Sequence, residues 1–518
     1  MSKQRIQLSD HFTYFRLLRF VLPCIGTTLF TSIYGIVDGL CVSNFVGKTA
    51  FAAVNLIIPL PMLLGTIGFM LGTGGSAIVG ITLGEGDQKK ADRYFTLFLL
   101  AALVSVSVLA VLGIVFLRPI AVLLGAKGEL LDYAVRYGRI LMLALPPFAL
   151  QNMFQSIFVT AEKPHLGFWF TVGAGCTNIV LDVLMVGVWG WGVEGAAIAT
   201  FISQLVGGVL PVFYFIDRSN SSRLHLCKTS FYSKVLRDAC INGSSELMTN
   251  LSMSLVNILY NYQLLRLAGE NGVAAYGVIM SAAFLFVAVF EGYAVGSAPI
   301  VSFHYGARNH TEVHNLYRKS LRLIAVVAVT LTLASMFIIP CVARIFVGYD
   351  AELLALTSRA FRLYALSFLI MGFNVYASSF FTALGDGVTS ALISFLRTLV
   401  FQVIAILLLP LLLGNRWAGL AGVFAMGLLM YLLNTPAQMH ALSLAEQDYP
   451  FASSLCASVQ PVSYNFGIAI GSFIGSAVQE GWGFRPLGLP AAMFALAALG
   501  LNLLLLRANG RRTAAAAS

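Results

Sequence analysis

Apolar runs of about 20 residues or more recur along nearly the whole of this 518-residue chain. A helix of about 20 apolar residues crosses the hydrocarbon core of a bilayer. Because that core contains no water to hydrogen-bond the backbone, only helices and closed barrels cross it. Charged residues make up 10% of the sequence, against about 25% in soluble proteins. The sequence therefore predicts an all-α polytopic membrane protein.

An internal repeat divides the chain into two similar halves. One constant shift along the sequence places Gly74 on Gly296, Gly84 on Gly306 and the Ile-Val pair at 78–79 on the pair at 300–301. Six predicted spans separate the copies, so both halves have the same orientation in the membrane. This is the parallel repeat that transporters use around a central site near the membrane midplane.

The repeat and the longest polar stretch together predict the domain boundaries. We expect an N-lobe of six transmembrane helices at 1–216, a cytoplasmic linker at 217–236 and a C-lobe of six transmembrane helices at 237–440. Residues 441–518 then form about two extra C-terminal helices and a tail. The glycine ridges of the repeat are typical of close helix packing.

The charge distribution favours an orientation rather than a nucleic-acid partner. Of the 32 basic residues, we assign 20 to segments on the side of the N-terminus and 11 to segments on the opposite side, with one inside the membrane. By the positive-inside rule, both termini are cytoplasmic. We expect a monomer in the lipid bilayer of a bacterial-type inner (plasma) membrane, with no nucleic acid bound.

Neither an enzyme nor a metal centre is indicated by the motifs. The seven cysteines are scattered singly, and no phosphate-binding loop for ATP occurs. His304, His310 and His314 are expected to lie in a solvated loop rather than to bind a metal. We therefore predict a non-enzymatic protein with no cofactor and no metal.

Two carboxylates stand within otherwise apolar spans. Asp182 is the only charged residue between Lys163 and Glu194, and Asp38 is the only one between Arg19 and Lys48. A charge near the centre of a membrane helix costs about 2.5–3.5 kcal/mol on insertion scales, so such residues usually have a function. They are candidates for cation or proton coupling, and the alternative is a structural hydrogen bond to a neighbouring helix.

Each of these carboxylates has a polar residue one turn earlier. Tyr34 precedes Asp38 by four residues, and Asn178 precedes Asp182 by four residues. Residues at this spacing share one face of a helix, and that face is expected to point into the protein or a water-filled cavity. A proton shared by two nearby carboxylates and a Na⁺ ion held by oxygen ligands both remain open.

Three further charges are predicted to lie within the second half. Glu291 and Glu246 are isolated acidic residues that would attract a cationic substrate, and a solvated position is the alternative for Glu246. Arg397 is the natural partner for an ion pair with Glu291. The alternative for Arg397 is a contact with backbone carbonyls at a helix end.

Several motifs resemble those of the multidrug and toxic compound extrusion (MATE) family. They are Tyr34-Gly-Ile-Val-Asp38-Gly-Leu, Asn178-Ile-Val-Leu-Asp182, Gly192-Val-Glu-Gly-Ala-Ala-Ile-Ala-Thr200, Glu291-Gly-Tyr-Ala-Val-Gly-Ser-Ala-Pro and Ala383-Leu-Gly-Asp-Gly. The resemblance covers roughly residues 10–413. It implies two six-helix lobes that form a V, and export of drug-like organic cations by alternating access in exchange for H⁺ or Na⁺. It also implies a cation site at the matching residues, which are Tyr34, Asp38, Asn178, Asp182 and Thr200.

The end of the chain departs from that family. The segments Asn434-Thr-Pro-Ala-Gln-Met and Tyr464-Asn-Phe-Gly-Ile-Ala within 415–510 resemble the last helices of a major facilitator superfamily exporter. One alternative to a drug antiporter is therefore a chimeric membrane chain without transport activity. Another is a flippase for lipid-linked precursors, which two similar lobes also suit and which a basic cavity would favour.

Overall fold

The computed structural model describes residues 6–45, 53–54, 56–124, 126–348, 350–400 and 402–403. The side chains of a few helical residues, Asp38 and Arg397 among them, lie outside the description. The predicted extra C-terminal helices and the segment that departs from the family also lie outside it. Nothing in the structure tests the predicted domain boundaries.

Eight α-helices make up the described part of the N-lobe. They are α1 (Tyr14–Phe45), α2 (Pro59–Gly84), α3 (Gln88–Leu123), α4 (Glu129–Leu143), α5 (Leu145–Thr160), α6 (Pro164–Asp182), α7 (Gly192–Gly208) and α8 (Leu210–Ile216). A short π-helical segment, Val183–Val188, continues α6. Helices α4 and α5 form one apolar run that bends by 52°.

The described part of the C-lobe contains five α-helices. They are α9 (Ser233–Gly306), α10 (His310–Val347), α11 (Ala351–Ala365), α12 (Phe368–Ala383) and α13 (Gly387–Phe395), followed by the π-helical Leu396–Val400. Helix α9 has 74 residues, which would span about 110 Å if it were straight. It is interrupted at Gly269, whose φ of 63° and ψ of −154° are not helical, so α9 supplies two passes.

Within the described residues, seven helices are long and apolar enough to cross a membrane, and nine are if each bent pair counts as one span. The protein is thus a multi-pass, all-helical membrane protein, as the sequence predicts. Helix α9 begins at Ser233, so the last four residues of the predicted linker are helical.

Reciprocal contacts across the lobes follow the internal repeat. A Cβ added at Gly84 of α2 would overlap the carbonyl oxygen of Phe303 in α9. A Cβ added at Gly306 of α9 would overlap the carbonyl oxygen of Ile81 in α2. The shift that aligns Gly84 with Gly306 also aligns Ile81 with Phe303. The same backbone contact is therefore made twice with the roles of the helices exchanged, which is the signature of a pseudo-twofold relation between the lobes.

The loops that follow these two glycines are also built alike. Gly86 and Arg308, which the same shift aligns, both adopt positive φ, at 89° and 56°. The next residue caps the following helix in each case. Asp87 accepts from the backbone N–H of Lys90, and Asn309 accepts from that of Glu312. The repeat therefore extends from the sequence to individual turns.

A glycine seam joins the lobes along α2 and α9. We define the seam as Gly74, Gly84, Gly243 and Gly306, because an added Cβ at each would overlap the backbone of the other lobe. Glycines at these positions let the two helices approach until their backbones touch. The seam ends beside the turns at 85–87 and 307–309, which lie on the predicted cytoplasmic face.

Candidate cation site

Asp182 lies in the interior of the N-lobe, with an exposed fraction of 0%. It is the last residue of α6, and the π-helical segment Val183–Val188 follows immediately. Single π-helical turns within α-helices are rare and occur frequently at functional sites. The carboxylate is thus placed where the helix changes its hydrogen-bonding pattern.

Asn178 is buried on the same helix one turn before Asp182. Its exposed fraction is 2%, and the i, i+4 spacing places both side chains on one face of α6. Within the described part of the chain, the Asn178 Nδ2 atom has no hydrogen-bond partner. A buried amide that makes no hydrogen bond lowers the stability of the fold by about 1–3 kcal/mol. Its presence therefore indicates a polar site in the interior of the lobe.

Tyr34 packs directly against α6 just before Asn178. A Cβ added at Gly175 would lie 3.0 Å from Tyr34 Cδ1 and 2.5 Å from Phe30 Cε1. Both rings belong to α1, so α1 packs closely against α6 at Gly175. The structure therefore brings Tyr34 to within one turn of Asn178.

The structure defines the positions of Thr200 and Asp38 relative to Asp182 in less detail. Thr200 is half-buried on α7, and α7 packs alongside α6. The backbone of Asp38 continues α1 one turn beyond Tyr34, and its side chain lies outside the described residues. The assignment of Tyr34, Asp38, Asn178, Asp182 and Thr200 to one cation site stays a prediction.

Polar side chains that sequence reasoning missed also line the N-lobe interior. Gln151 and Asn152 of α5 are buried, with exposed fractions of 6% and 5%, and Gln151 packs against Gly207 of α7. Gln204 lies on α7 one turn after Thr200. Within the described residues, Gln151 Oε1, Asn152 Nδ2 and Gln204 Oε1 have no hydrogen-bond partner. The i, i+4 spacing of Thr200 and Gln204 is the sequence pattern that could have predicted a polar face on α7.

The charged residues of the C-lobe are spread over α9 and the segment after α13. Glu246 is half-buried on α9, three residues after Gly243 of the seam, and Glu291 is exposed further along the same element. Arg397 belongs to the π-helical Leu396–Val400, and its side chain lies outside the described residues. The predicted Glu291–Arg397 ion pair therefore stays a prediction.

One histidine differs from its predicted environment. His304 is 3% exposed and belongs to α9, whereas His310 and His314 are exposed near the start of α10. The reason is that α9 continues to Gly306, so His304 packs inside the helix bundle and not in the loop. Among the described residues, no group of three or more His, Cys, Asp and Glu side chains could hold a metal ion.

A family model described as MatE matches residues 23–184 and 247–408. The match covers both halves and more than half of the chain. The offset between the starts of its two segments is nearly the same as the shift that aligns Gly74 with Gly296. The chain belongs to the MATE family. MATE proteins are transporters, so the buried carboxylate of Asp182 lies within a transporter fold.

Curated relatives in staphylococci resemble this chain at low sequence identity. Multidrug export protein MepA of Staphylococcus haemolyticus is 21% identical over 408 residues, which cover 79% of this chain and 88% of that protein. MepA of Staphylococcus aureus strain N315 gives the same identity and coverage.

Solved MATE structures confirm the two-lobed fold. A MATE crystal structure in complex with MaL6 has a TM-score of 0.74 and 22% identity, covering 83% of this chain and 99% of that one. An outward-facing multidrug resistance MATE transporter gives a TM-score of 0.74, also at 22% identity, with coverage of 84% and 99%. A transporter of the MOP superfamily from Pyrococcus furiosus gives 0.73 at 22% identity, with coverage of 83% and 98%.

Proposed function

We propose that this protein is a multidrug efflux antiporter that exports organic cations in exchange for H⁺ or Na⁺. The observation that carries the proposal is the fully buried Asp182, one turn after a buried Asn178, inside a transporter fold. A carboxylate in that environment is costly, and a coupling cation would offset its charge. The names of the MepA relatives support drug-like substrates.

Two chemistries would let the N-lobe couple to a cation. A carboxylate in apolar surroundings can hold a proton and release it when water enters. Carboxylate, amide and hydroxyl oxygens also suit a hard cation such as Na⁺. The amides of Asn178, Gln151 and Gln204 and the hydroxyl of Thr200 supply such oxygens within the same lobe. We therefore propose one cation site, with H⁺ and Na⁺ as the alternative coupling ions.

The two-lobed repeat supports alternating access. Lobes of similar structure can rock about a shared axis so that a central cavity opens to one side of the membrane at a time. Glu246 and Glu291 of α9 would then attract a cationic substrate to the C-lobe. We propose a monomer in a bacterial-type inner membrane, with both termini in the cytoplasm.

Dye binding to the purified protein tests this proposal and the place of the site. We expect saturating Na⁺ or a lowered pH to weaken the binding of a fluorescent cationic dye about tenfold, because coupling free energies between sites are about 1–3 kcal/mol. Gly175→Ala displaces Phe30 and Tyr34 from α6. It should therefore raise the cation concentration that gives half-maximal weakening of dye binding by roughly tenfold.

Gly173→Ala is the matched control on the same helix. A Cβ there would meet only Val206 Cγ1, at 4.0 Å, among the described residues. Its cation dependence should therefore equal that of the wild type. Dye binding that responds to neither cation would contradict antiport, and equal behaviour of the two glycine variants would contradict the position of the site beside Tyr34.

A further inference from the structure

The N-terminal segment 6–13 lies between the two lobes on the predicted cytoplasmic face. We call it the strap. Two of its large apolar residues, Leu8 and Phe12, are 0% exposed. The Phe12 ring meets Phe20 of α1 edge-on at 6.0 Å and His304 of α9 edge-on at 6.4 Å, measured between ring centroids. The strap is therefore held by residues of both lobes.

One end of the strap is attached to Glu162, in the turn between α5 and α6 of the N-lobe. The backbone N–H of Leu8 donates to Glu162 Oε1 at 2.9 Å, and Arg223 of the linker donates to the same oxygen at 2.5 Å. The Arg223 guanidinium also lies 4.9 Å from the ring centroid of Phe303 in α9. Glu162 has a φ of 60°, which is unfavourable for a residue with a side chain.

The other end is attached to Glu312, in the first turn of α10 in the C-lobe. Glu312 Oε1 accepts from the backbone N–H of Phe12 at 2.9 Å and from Asn315 Nδ2 at 2.9 Å, and Glu312 Oε2 is 2.7 Å from His11 Nδ1. Lys319 Nζ donates to the Phe12 carbonyl at 2.6 Å. The Glu312 side chain is 7% exposed, so its carboxylate is largely shielded from water, and hydrogen bonds to an ionised acceptor are the stronger kind.

The two attachments are close together in the chain, at Leu8 and Phe12. A stretch of four residues reaches about 14 Å when it is fully extended, so the strap limits how far Glu162 and Glu312 can separate. Opening of the predicted cytoplasmic side would separate the lobes along the seam and move these two carboxylates apart. A strap that holds both carboxylates resists that movement.

We propose that the strap is a latch that stabilises the closed seam, with Glu162 holding it in place on the N-lobe, and that it must release Glu312 before the predicted cytoplasmic side opens. This inference rests on the alternating access proposed above. It assigns a conformational role to a segment outside the transmembrane helices. Leu8 and Phe12 bind the two carboxylates through backbone N–H groups, which substitution does not remove, so the carboxylates are the groups to change.

The distance between the lobes tests the latch directly. Spin labels at Lys89 of α3 and Arg318 of α10, both exposed, report the separation in the full chain once the native cysteines are replaced. We expect Glu312→Gln to raise the ratio of open to closed protein about tenfold, because it weakens the charge-assisted hydrogen bonds between the lobes. Glu162→Gln should raise the ratio less, because the strap remains joined to the N-lobe through α1. Glu85→Gln, an exposed carboxylate on the same face, should leave the ratio unchanged.

The double variant distinguishes a latch from two separate stabilising contacts. The strap runs directly into α1, so it stays attached to the N-lobe when Glu162 is lost, and its bonds to Glu312 and Lys319 hold α10 of the C-lobe. Glu162→Gln combined with Glu312→Gln should therefore open no further than Glu312→Gln alone. Further opening in the double variant, or unchanged distances in folded Glu312→Gln, would overturn the latch. If Glu312→Gln does not fold, Lys319→Met, which removes the hydrogen bond to the Phe12 carbonyl, decides instead. Because the distance readout needs no dye, absent dye transport would contradict the proposed function without altering this result.

Discussion

Asp182→Asn is expected to reduce dye efflux from cells to the level of cells without the protein, while the amount of membrane-inserted protein stays near wild type. The side chain is 0% exposed, and asparagine keeps its shape while removing the negative charge. Loss of one member of a buried charge pair costs about 3–5 kcal/mol, so cation affinity should fall by about a hundredfold or more. Efflux assays in cells, with membrane protein measured in parallel, check this result.

Glu194→Gln is the matched control for the same chemical change. Glu194 lies in the first turn of α7, where it forms an ion pair with Arg136 at 3.5 Å, and its side chain is 46% exposed. Exposed ion pairs contribute about 0–1 kcal/mol, so this variant should retain near-normal efflux. Full efflux by Asp182→Asn would show that the buried charge is not the coupling group.

Gly84→Ala is expected to open or destabilise the seam between the lobes. The added Cβ would overlap the Phe303 carbonyl oxygen and lie 2.7 Å from the Ala307 nitrogen. Both are backbone atoms, so no side-chain rotation can relieve the overlap, and α2 must move away from α9. Overpacking of this kind costs about 1–3 kcal/mol. We expect a lower unfolding temperature and a longer distance between labels at Lys89 and Arg318.

Gly277→Ala separates this steric effect from the general effect of replacing a helical glycine. A Cβ at Gly277 in α9 would meet nothing within 4 Å among the described residues. Alanine is favoured over glycine within a helix by about 1 kcal/mol, so this control should be neutral or slightly stabilising. Equal unfolding temperatures and label distances in the two variants would contradict the close approach of α2 and α9.

The repeat and the helical fold could be predicted because their signals are strong and periodic. Long apolar runs specify membrane helices, and the offset that aligns Gly84 with Gly306 also predicts their reciprocal contacts. The charge of Asp182 stands out within an apolar run, so the sequence predicted a functional residue there. The structure places Asp182 in the interior. Its role in coupling remains a prediction.

The bend between α4 and α5 could not be read from the sequence. Its apolar run continues through Ala144 into Leu145, and the Pro146-Pro147 pair that follows is also compatible with the first turn of a helix. A single straight span and a bent pair therefore carry almost the same hydrophobic signal. Packing against the rest of the bundle decides between them.

The strap could not be predicted from the sequence, for a different reason. Its contacts join residues far apart in the chain, such as Leu8 with Glu162 and Phe12 with Glu312, and its own sequence is short and partly polar. Local periodicity carries no information about such contacts. The same limit applies to the buried amides of the N-lobe, which only the packing of α5, α6 and α7 brings into one interior.

Transport by purified protein in proteoliposomes tests the central claim most directly. With a cationic dye inside and outside the vesicles, an imposed gradient of H⁺ or Na⁺ should drive dye against its own gradient. Reversal of the ion gradient should reverse the direction of dye movement, because antiport couples the two flows. Dye movement that is unaffected by both gradients, in vesicles that contain folded protein and hold their gradients, would contradict the proposed antiport.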